Sequence, residues 1–271
     1  MLGTAASGGL PQWNCGCRNC HLARVGQIPP QLQSCIAVSG DGKEWWLVNA
    51  TPDLGRQIAG FPPLQPSEGT RTSPVAGVLL TDADIDHAIG ILLMRERESP
   101  LAVYTSAEVR EKLRWADELM QPFCGIDWRE LPRQFVKLGD GVGLRGTELP
   151  RSVAFQLKAN RNRLLVIAPA VNTITGELDD ALQEADAIFF DGTFWNNDEL
   201  VPYRDDARSA LEIGHMPVER SLGLLTESSA RRKIYTHINN TNPILAPGSP
   251  QRRAVESAGI TIGYDGLEFE L

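Results

Sequence analysis

The apolar run Val75-Ala76-Gly77-Val78-Leu79-Leu80 passes directly into Thr81-Asp82-Ala83-Asp84-Ile85-Asp86-His87, and this junction constrains the fold more than any other stretch. An apolar run of this length reads as a buried strand. The segment after it puts three carboxylates and an imidazole on the loop leaving that strand, just before a helix-like stretch from Ala88 to Met94. Charge this dense at a strand end is stable only where it faces water, a cation or a substrate. Acidic residues also suit the positive end of a helix dipole, so the junction alone fits a solvated turn as well as a site.

Further strands are expected over 34–39, 45–49, 76–81, 101–105, 135–138, 153–157, 164–168, 187–190, 233–236, 260–264 and 267–271. Helices are expected over 85–97, 107–119, 178–184, 217–229 and 250–258. The opening residues 1–9 look like the end of a strand entering a glycine-rich turn. Hairpins come first and strand–helix alternation follows, with the pattern roughly repeated in the second half. Two mixed sheets stacked face to face with helices outside bury all these runs. Pro62-Pro63-Leu64-Gln65-Pro66 is a loop rather than a boundary, so residues 1–271 are expected to form one α/β domain. With 42% hydrophobic residues there is material for such a core.

The formal charge of −8 argues against nucleic acid as a partner, because polyanion binding needs basic patches that release counterions. No apolar stretch approaches membrane-spanning length and no signal-peptide pattern precedes Gly8-Gly9. A soluble, cytoplasmic protein is the expectation. Cysteine usage points the same way: three of the five cysteines fall together as Cys15, Cys17 and Cys20, a spacing that suits thiolates converging on one metal better than a disulfide framework. Cys35 and Cys124 read as packed free thiols.

There are only four histidines. His21 follows Cys20 and is either a surface residue or an aid to the thiolates. His87 stands at the loop–helix junction, His215 in the turn Ile213-Gly214-His215-Met216-Pro217, and His237 just after Lys233-Ile234-Tyr235-Thr236. Three of the four thus occupy strand–helix junctions, positions that form one rim in layered sheet folds. Asp191 ends Ala187-Ile188-Phe189-Phe190, where a carboxylate can orient a ligand histidine, bind metal itself or cap the turn. His87, His237 and one of Asp82, Asp84 or Asp86 supply the two-histidine, one-carboxylate set that non-haem Fe(II) oxygenases use. Zinc accepts the same ligands, so a hydrolytic site stays open.

Thr81-Asp82-Ala83-Asp84-Ile85-Asp86-His87-Ala88-Ile89-Gly90 resembles the metallo-β-lactamase-fold signature Thr-His-x-His-x-Asp-His-x-x-Gly, with aspartates in place of its first two histidines. Pro11-Gln12-Trp13-Asn14-Cys15-Gly16-Cys17-Arg18-Asn19-Cys20, Asp191-Gly192-Thr193-Phe194-Trp195, Gly214-His215 and His237-Ile238-Asn239-Asn240-Thr241-Asn242-Pro243 narrow the resemblance. Together they are similar to the pyrroloquinoline quinone biosynthesis protein B family over nearly the whole chain. The resemblance implies a four-layer αββα sandwich with a metal at the sheet edge. It also implies an iron-dependent, oxygen-using hydroxylase acting on a tyrosine-derived ring, a small aromatic or peptide-derived substrate, in making a peptide-derived quinone cofactor. By motif position Asp86, His87 and His237 are metal ligands, with Asp82 and Asp84 near the metal or bound to it. His215 falls where related phosphodiesterases place a proton-donating histidine, and with Asp191 forms the candidate catalytic pair. Cys15, Cys17 and Cys20 would hold a separate structural zinc, with the amide oxygen of Asn240 as fourth ligand, or else His21 or a water.

Several departures bear on these expectations. Hydrolytic members of the fold need a further histidine and a bridging aspartate in the second half; no histidine lies between His87 and His215, and Ala168-Pro169-Ala170 stands at the expected place. Asp84 occupies a position where the resembled family commonly has glutamine, which makes the site harder and more negative. The connection 158–163 is short where the family carries a longer loop, so either the pocket is reshaped or site residues are missing there. Two rivals to the hydroxylase remain, a metal-dependent phosphodiester hydrolase and a non-catalytic carrier of the product. The assembly state is open, a homodimer included.

Overall fold

The computed structural model describes all 271 residues. Five strands make a first sheet in chain order: β1 (Ile36–Val38), β2 (Trp45–Val48), β3 (Val75–Leu79), β4 (Leu101–Thr105) and β5 (Ile126–Glu130). Seven make the second, also in chain order: β6 (Val136–Gly139), β7 (Val142–Leu149), β8 (Ser152–Lys158), β9 (Leu164–Ala168), β10 (Ala187–Asp191), β11 (Arg232–Thr236) and β12 (Thr261–Ile262). Each sheet begins antiparallel and turns parallel, the change falling after β2 in the first and after β9 in the second. Helices α1 (Arg18–Arg24), α2 (Leu54–Ala59), α3 (Ile85–Ala88), α4 (Ala107–Lys112) and α5 (Arg114–Met120) come from the first half. Helices α6 (Gly176–Glu184), α7 (Ala210–Ile213), α8 (Val218–Glu227) and α9 (Pro250–Ser257) come from the second.

The period-2 alternation of strand side chains explains why the strand sequences are apolar on both faces. On β10, Ala187 and Phe189 enter a core with Trp46, Leu79 and Phe155 from both sheets, while Ile188 and Phe190 enter a second core with Leu178 of α6, Leu225 of α8 and Val255 of α9. A third core joins Leu47, Val78 and Val103 to Leu54 of α2, Val109 of α4 and Met120 of α5. Three apolar layers therefore separate four layers of structure, the αββα sandwich. No helix is long and apolar enough to cross a membrane.

The differences from the sequence expectations have local causes. The segment expected as one helix over 107–119 breaks at Leu113 (φ −104°, ψ 20°) into α4 and α5. The helix expected over 85–97 tightens after α3 into 3₁₀ turns at Ile89–Met94. β5 and β7 are absent from the sequence reading because β5 is an edge strand of alternating polar residues and β7 carries two glycines and two charges. Residues 267–271 form no strand; Phe269 instead stacks on Phe189 at 5.7 Å between centroids. The chain start pairs only through single bridges, Gly3 with Cys35 and Ala5 with Gln33 and Ile238. The short connection after β8 is a closed turn: Ala159 N–H donates to Arg163 O at 2.8 Å, and Lys158 pairs with Leu164. It lies at the opposite end of the sheet from Ala168, Asp191 and Thr236, so its length does not touch the rim where the histidines gather.

Candidate metal centre

The first sheet delivers His87. Asn49, just past β2, adopts a φ of 68°, a left-handed conformation that asparagine tolerates, and its Oδ1 accepts from the N–H of Thr81 at 3.0 Å. That pins the exit of β3. Asp82 then turns back: its Oδ1 accepts from Asp84 N–H at 3.0 Å, and its two oxygens each lie 2.8 Å from His87 Nδ1. Gly90 lets the helical turn sit on the neighbouring backbone, since a Cβ there would lie 2.3 Å from Thr51 O. The contact is sealed by Ala50 N–H donating to His87 O at 2.7 Å.

The second half of the chain delivers Asp191, His215 and His237: Asp191 ends β10 and His237 follows β11, whereas His215 stands in the turn between α7 and α8 rather than at the strand–helix junction expected of it. Asp191 ends β10 fully buried, with every oxygen engaged. Its Oδ1 accepts from Thr193 N–H at 3.0 Å and Thr193 Oγ1–H at 2.7 Å; its Oδ2 accepts from Val171 N–H and His215 Nδ1–H, both at 2.8 Å. Gly192 is required between them, because a Cβ would stand 2.8 Å from Tyr235 Cβ. His237 follows β11 in the left-handed region at φ 54°, a strained conformation of the kind that persists at functional sites, and its Nδ1 lies 2.8 Å from Thr193 Oγ1.

The two arms meet across the sandwich edge. The rings of His87 and His237 stand edge to face 4.7 Å apart, and His215 stacks on His237 at 5.0 Å. The Nε2 atoms of His87 and His237 are buried with no hydrogen-bond partner. Asp86 Oδ2 lies 3.7 Å from the first and 3.8 Å from the second, held from outside by Ser7 N–H at 3.0 Å. Ligand atoms about 2.1 Å from a shared ion stand roughly 3–3.5 Å apart, so this trio needs to close by only a few tenths of an ångström. Two orphaned imidazole nitrogens facing one carboxylate oxygen fit a divalent cation. Each histidine is also braced through Nδ1, as metal-bound histidines are.

The charges fit the same picture. Burial is the largest influence on His87 and opposes its charge, yet Asp82 and Asp86 outweigh it and lift the pKa to about 9. Burial also opposes charge on Asp82 and Asp86, and His87 reverses it and holds both carboxyls below their usual range. His237 is pushed down by burial, keeping its imidazole neutral. For His215 burial is again the largest influence, but Asp191 overcomes it and raises the pKa above the usual value.

The cysteines form a second centre 220 residues away in sequence from their partner, Asn240. Asn240 Nδ2 lies 3.0, 3.4 and 3.3 Å from the Sγ atoms of Cys15, Cys17 and Cys20. One amide nitrogen with two hydrogens cannot serve three sulfurs well, whereas a half-turn of the amide presents Oδ1 to all three as the apex of a tetrahedral thiolate site. The Cys17 and Cys20 N–H groups and Gln12 N–H already point at the sulfurs, at 3.3–3.4 Å. His21 is exposed and stands outside this group.

Asp86, His87 and His237 therefore come together, as do Cys15, Cys17, Cys20 and Asn240. Of the two places expected for Asp82, near the metal or bound to it, the geometry fits the first: both its oxygens face His87 Nδ1, behind the ring. Asp84 is exposed, its carboxyl makes no hydrogen bond, and it joins neither Asp86, His87 and His237 nor the second cluster that could hold a cation, Asp191, His215 and His237. Asp191 has both oxygens on protein groups, His215 Nδ1 among them. Phe194 is buried edge to face on His215 at 6.0 Å, and Trp195 packs on the core beneath α8. Sequence reasoning missed Asn49, Ser7 and Thr193 as site residues. Asn49 and Ser7 have positive φ, and Thr193 sits in a motif whose histidine partners lie 22 and 44 residues away.

A family model for the beta-lactamase superfamily domain matches residues 44–238. The coenzyme PQQ synthesis protein B of Rhizobium meliloti is 40% identical over 296 aligned residues, covering 100% of this chain and 97% of the relative. Its counterpart from Cupriavidus taiwanensis is 39% identical, covering 100% and 98%. The crystal structure of Zn(2+)-bound PqqB from Methylobacterium extorquens, 31% identical, superposes with a TM-score of 0.92 over 100% of this chain and 98% of that one. On this fold, over this length and at this identity, the chain belongs to the coenzyme PQQ synthesis protein B family.

Proposed function

We propose that this protein is an Fe(II)-dependent, oxygen-using hydroxylase acting on a tyrosine-derived ring in the biosynthesis of pyrroloquinoline quinone. The observation that carries the proposal is the pair of buried, unpartnered Nε2 atoms of His87 and His237 facing the single carboxylate oxygen of Asp86. Two imidazoles and one carboxylate leave open positions for dioxygen and an organic substrate. A hydrolytic pair of metals finds less support, since Ala168-Pro169-Ala170 offers no ligand side chain at the end of β9 and Asp191 has both oxygens engaged. The zinc in the related crystal structure supports metal binding in this family, and Cys15, Cys17, Cys20 and Asn240 fit a structural zinc.

When bound, a ferrous ion would supply the redox chemistry that lets dioxygen react with an aromatic ring. The protein's own groups do the rest. Asp82 and Thr193 fix the rings of His87 and His237, so both Nε2 lone pairs converge on one point. Ser7 N–H restrains Asp86. His215 donates Nδ1–H to Asp191, which leaves Nε2 free to carry a proton to or from the substrate. Asp191 favours the charged form of His215 against burial, which suits that ring to holding a proton for transfer. Reducing conditions in a cytoplasm would keep the three thiols available as ligands.

Oxygen uptake by anaerobically purified, Fe(II)-loaded protein with tyrosine-like substrates, measured beside His87→Ala, tests the proposal. Uptake coupled to hydroxylated product, absent in the variant, is expected. Hydroxylation that survives the substitution places the chemistry elsewhere. Zinc- or manganese-supported hydrolysis of a phosphodiester without oxygen favours the hydrolytic rival, and tight product binding without turnover favours the carrier.

A further inference from the structure

We infer that Thr193 is a positioning residue whose single hydroxyl proton sets the tautomer of His237, and thereby decides whether the active-site centre can bind a cation. The inference rests on the metal-ligand assignment of His87, His237 and Asp86, not on the oxygenase reading. Thr193 is buried, and its Oγ1 stands at the hub of three contacts: 2.7 Å to Asp191 Oδ1, 2.8 Å to His237 Nδ1 and 3.0 Å to His215 Nδ1. A hydroxyl has one proton to give and lone pairs to accept with. An ionised carboxylate is the stronger acceptor, so the proton goes to Asp191. Thr193 Oγ1 can then only accept from His237, which must carry its hydrogen on Nδ1 and leave Nε2 as a lone pair.

His215 obeys the same constraint. Its Nδ1 lies 2.8 Å from Asp191 Oδ2 and 3.0 Å from Thr193 Oγ1, both acceptors toward it, so it too is held as the Nδ1–H form. Thr193 is thus the sole Nδ1 partner of His237 and only reinforces Asp191 at His215, and the two stacked imidazoles share one arrangement. The opposite arrangement, with Thr193 donating to His237, would put a hydrogen on Nε2 facing Asp86 Oδ2 3.8 Å away and close the position to a cation. The β-methyl of threonine restricts the χ1 that aims the hydroxyl. At His87 a hydroxyl, Thr81 Oγ1, also stands 3.4 Å from Nδ1, but a carboxylate, Asp82, meets that nitrogen directly at 2.8 Å and is the nearer acceptor. The two ligands are thus braced by different chemistry, and only His237 depends on a neutral hydroxyl for its tautomer.

The test compares wild type, Thr193→Val and Thr193→Ser. Valine keeps the shape and removes the hydroxyl; serine keeps the hydroxyl. Imidazole ¹⁵N shifts of the metal-free protein report the tautomer of His237, and competition against a chromophoric chelator reports Zn(II) or Mn(II) affinity with the cysteine cluster already filled. Wild type and Thr193→Ser are expected to show the Nδ1–H pattern. Thr193→Val is expected to show the Nε2–H form or a mixture, with affinity reduced about 10- to 100-fold, as for other groups that brace a ligand histidine. Thermal melts of all three confirm folding, and the wild-type-like behaviour of the serine variant separates tautomer control from a packing defect. A valine variant that keeps the Nδ1–H pattern, or binds the metal within threefold of wild type, overturns the inference. Loss of affinity in the serine variant as well overturns it too, because packing then explains the effect. Should wild type show the Nδ1–H pattern yet bind no metal at this site, the ligand assignment fails while the tautomer control stands.

Discussion

Asp82→Asn separates the two things a carboxylate behind a ligand histidine does. It raises the basicity and fixes the orientation of the ring, and it also makes a proton compete with the metal. His87 sits at about 9 in the metal-free protein, against burial, through Asp82 first and then Asp86. At pH 7 a cation must therefore displace a proton held two units above the ambient pH, a handicap of about 100-fold in apparent affinity. Asparagine keeps the shape and an acceptor oxygen but removes the charge, letting His87 fall back toward or below its ordinary 6.5. The handicap at pH 7 then shrinks to less than about twofold. The lost carboxylate costs about 10- to 100-fold in intrinsic affinity. These effects nearly cancel at pH 7 and diverge at pH 9, where the proton no longer competes. Chelator competition from pH 7 to 9 is expected to give a wild-type affinity rising about tenfold per pH unit, and a nearly flat profile for Asp82→Asn. Parallel profiles for the two proteins would refute the assignment of Asp82 as the group that brackets His87.

Other consequences follow from the same structure. Asn240→Ala removes the fourth donor at the cysteine cluster and should lower zinc content toward one equivalent fewer on metal analysis, with thiol reagents gaining access to Cys15; Asn240→His should retain the metal. Glu199 is buried against Thr241 and the Trp195 N–H, and burial lifts its pKa to about 7 from 4.5. The folded protein then holds a proton that the unfolded chain has released, so stability falls as pH rises through that window, by up to about 3 kcal/mol. Urea unfolding at pH 5 and 8 should show a smaller loss in Glu199→Gln than in wild type, the difference being the Glu199 contribution, because His87, also raised, adds its own loss to both proteins. Phe155→Ala opens a cavity between the two sheets and should cost about 3–5 kcal/mol in the same assay without altering metal stoichiometry.

Much of this protein was legible before its structure. The Val75–Leu80 run and the aspartates after it pointed to one arm of the candidate centre, but only together with the histidines elsewhere, since the junction alone fits a solvated turn as well. His237 just past a strand pointed to the other, and His215 joins it from a turn between two helices rather than from the strand end that its surroundings suggested. Bracing of the ligands was not legible. Which of Asp82 and Asp86 faces the two free Nε2 atoms depends on how the turn after β3 folds back, a turn pinned by Asn49 at Thr81 and by Asp82 at the Asp84 N–H. Thr193 was invisible because its importance lies in three contacts that the fold brings to one oxygen, none of them local except Asp191. β5 and β7 escaped notice for a simpler reason: exposed edge positions and glycines erase the apolar alternation that marks a strand.

The most direct test of the central claim is anomalous diffraction from crystals grown anaerobically with Fe(II), collected on both sides of the iron edge. One iron peak is expected within bonding distance of His87 Nε2, His237 Nε2 and an Asp86 oxygen, with Asp82 unbound. Two metal peaks at the rim, or one held by Asp191 and His215 with His87 free, would contradict it.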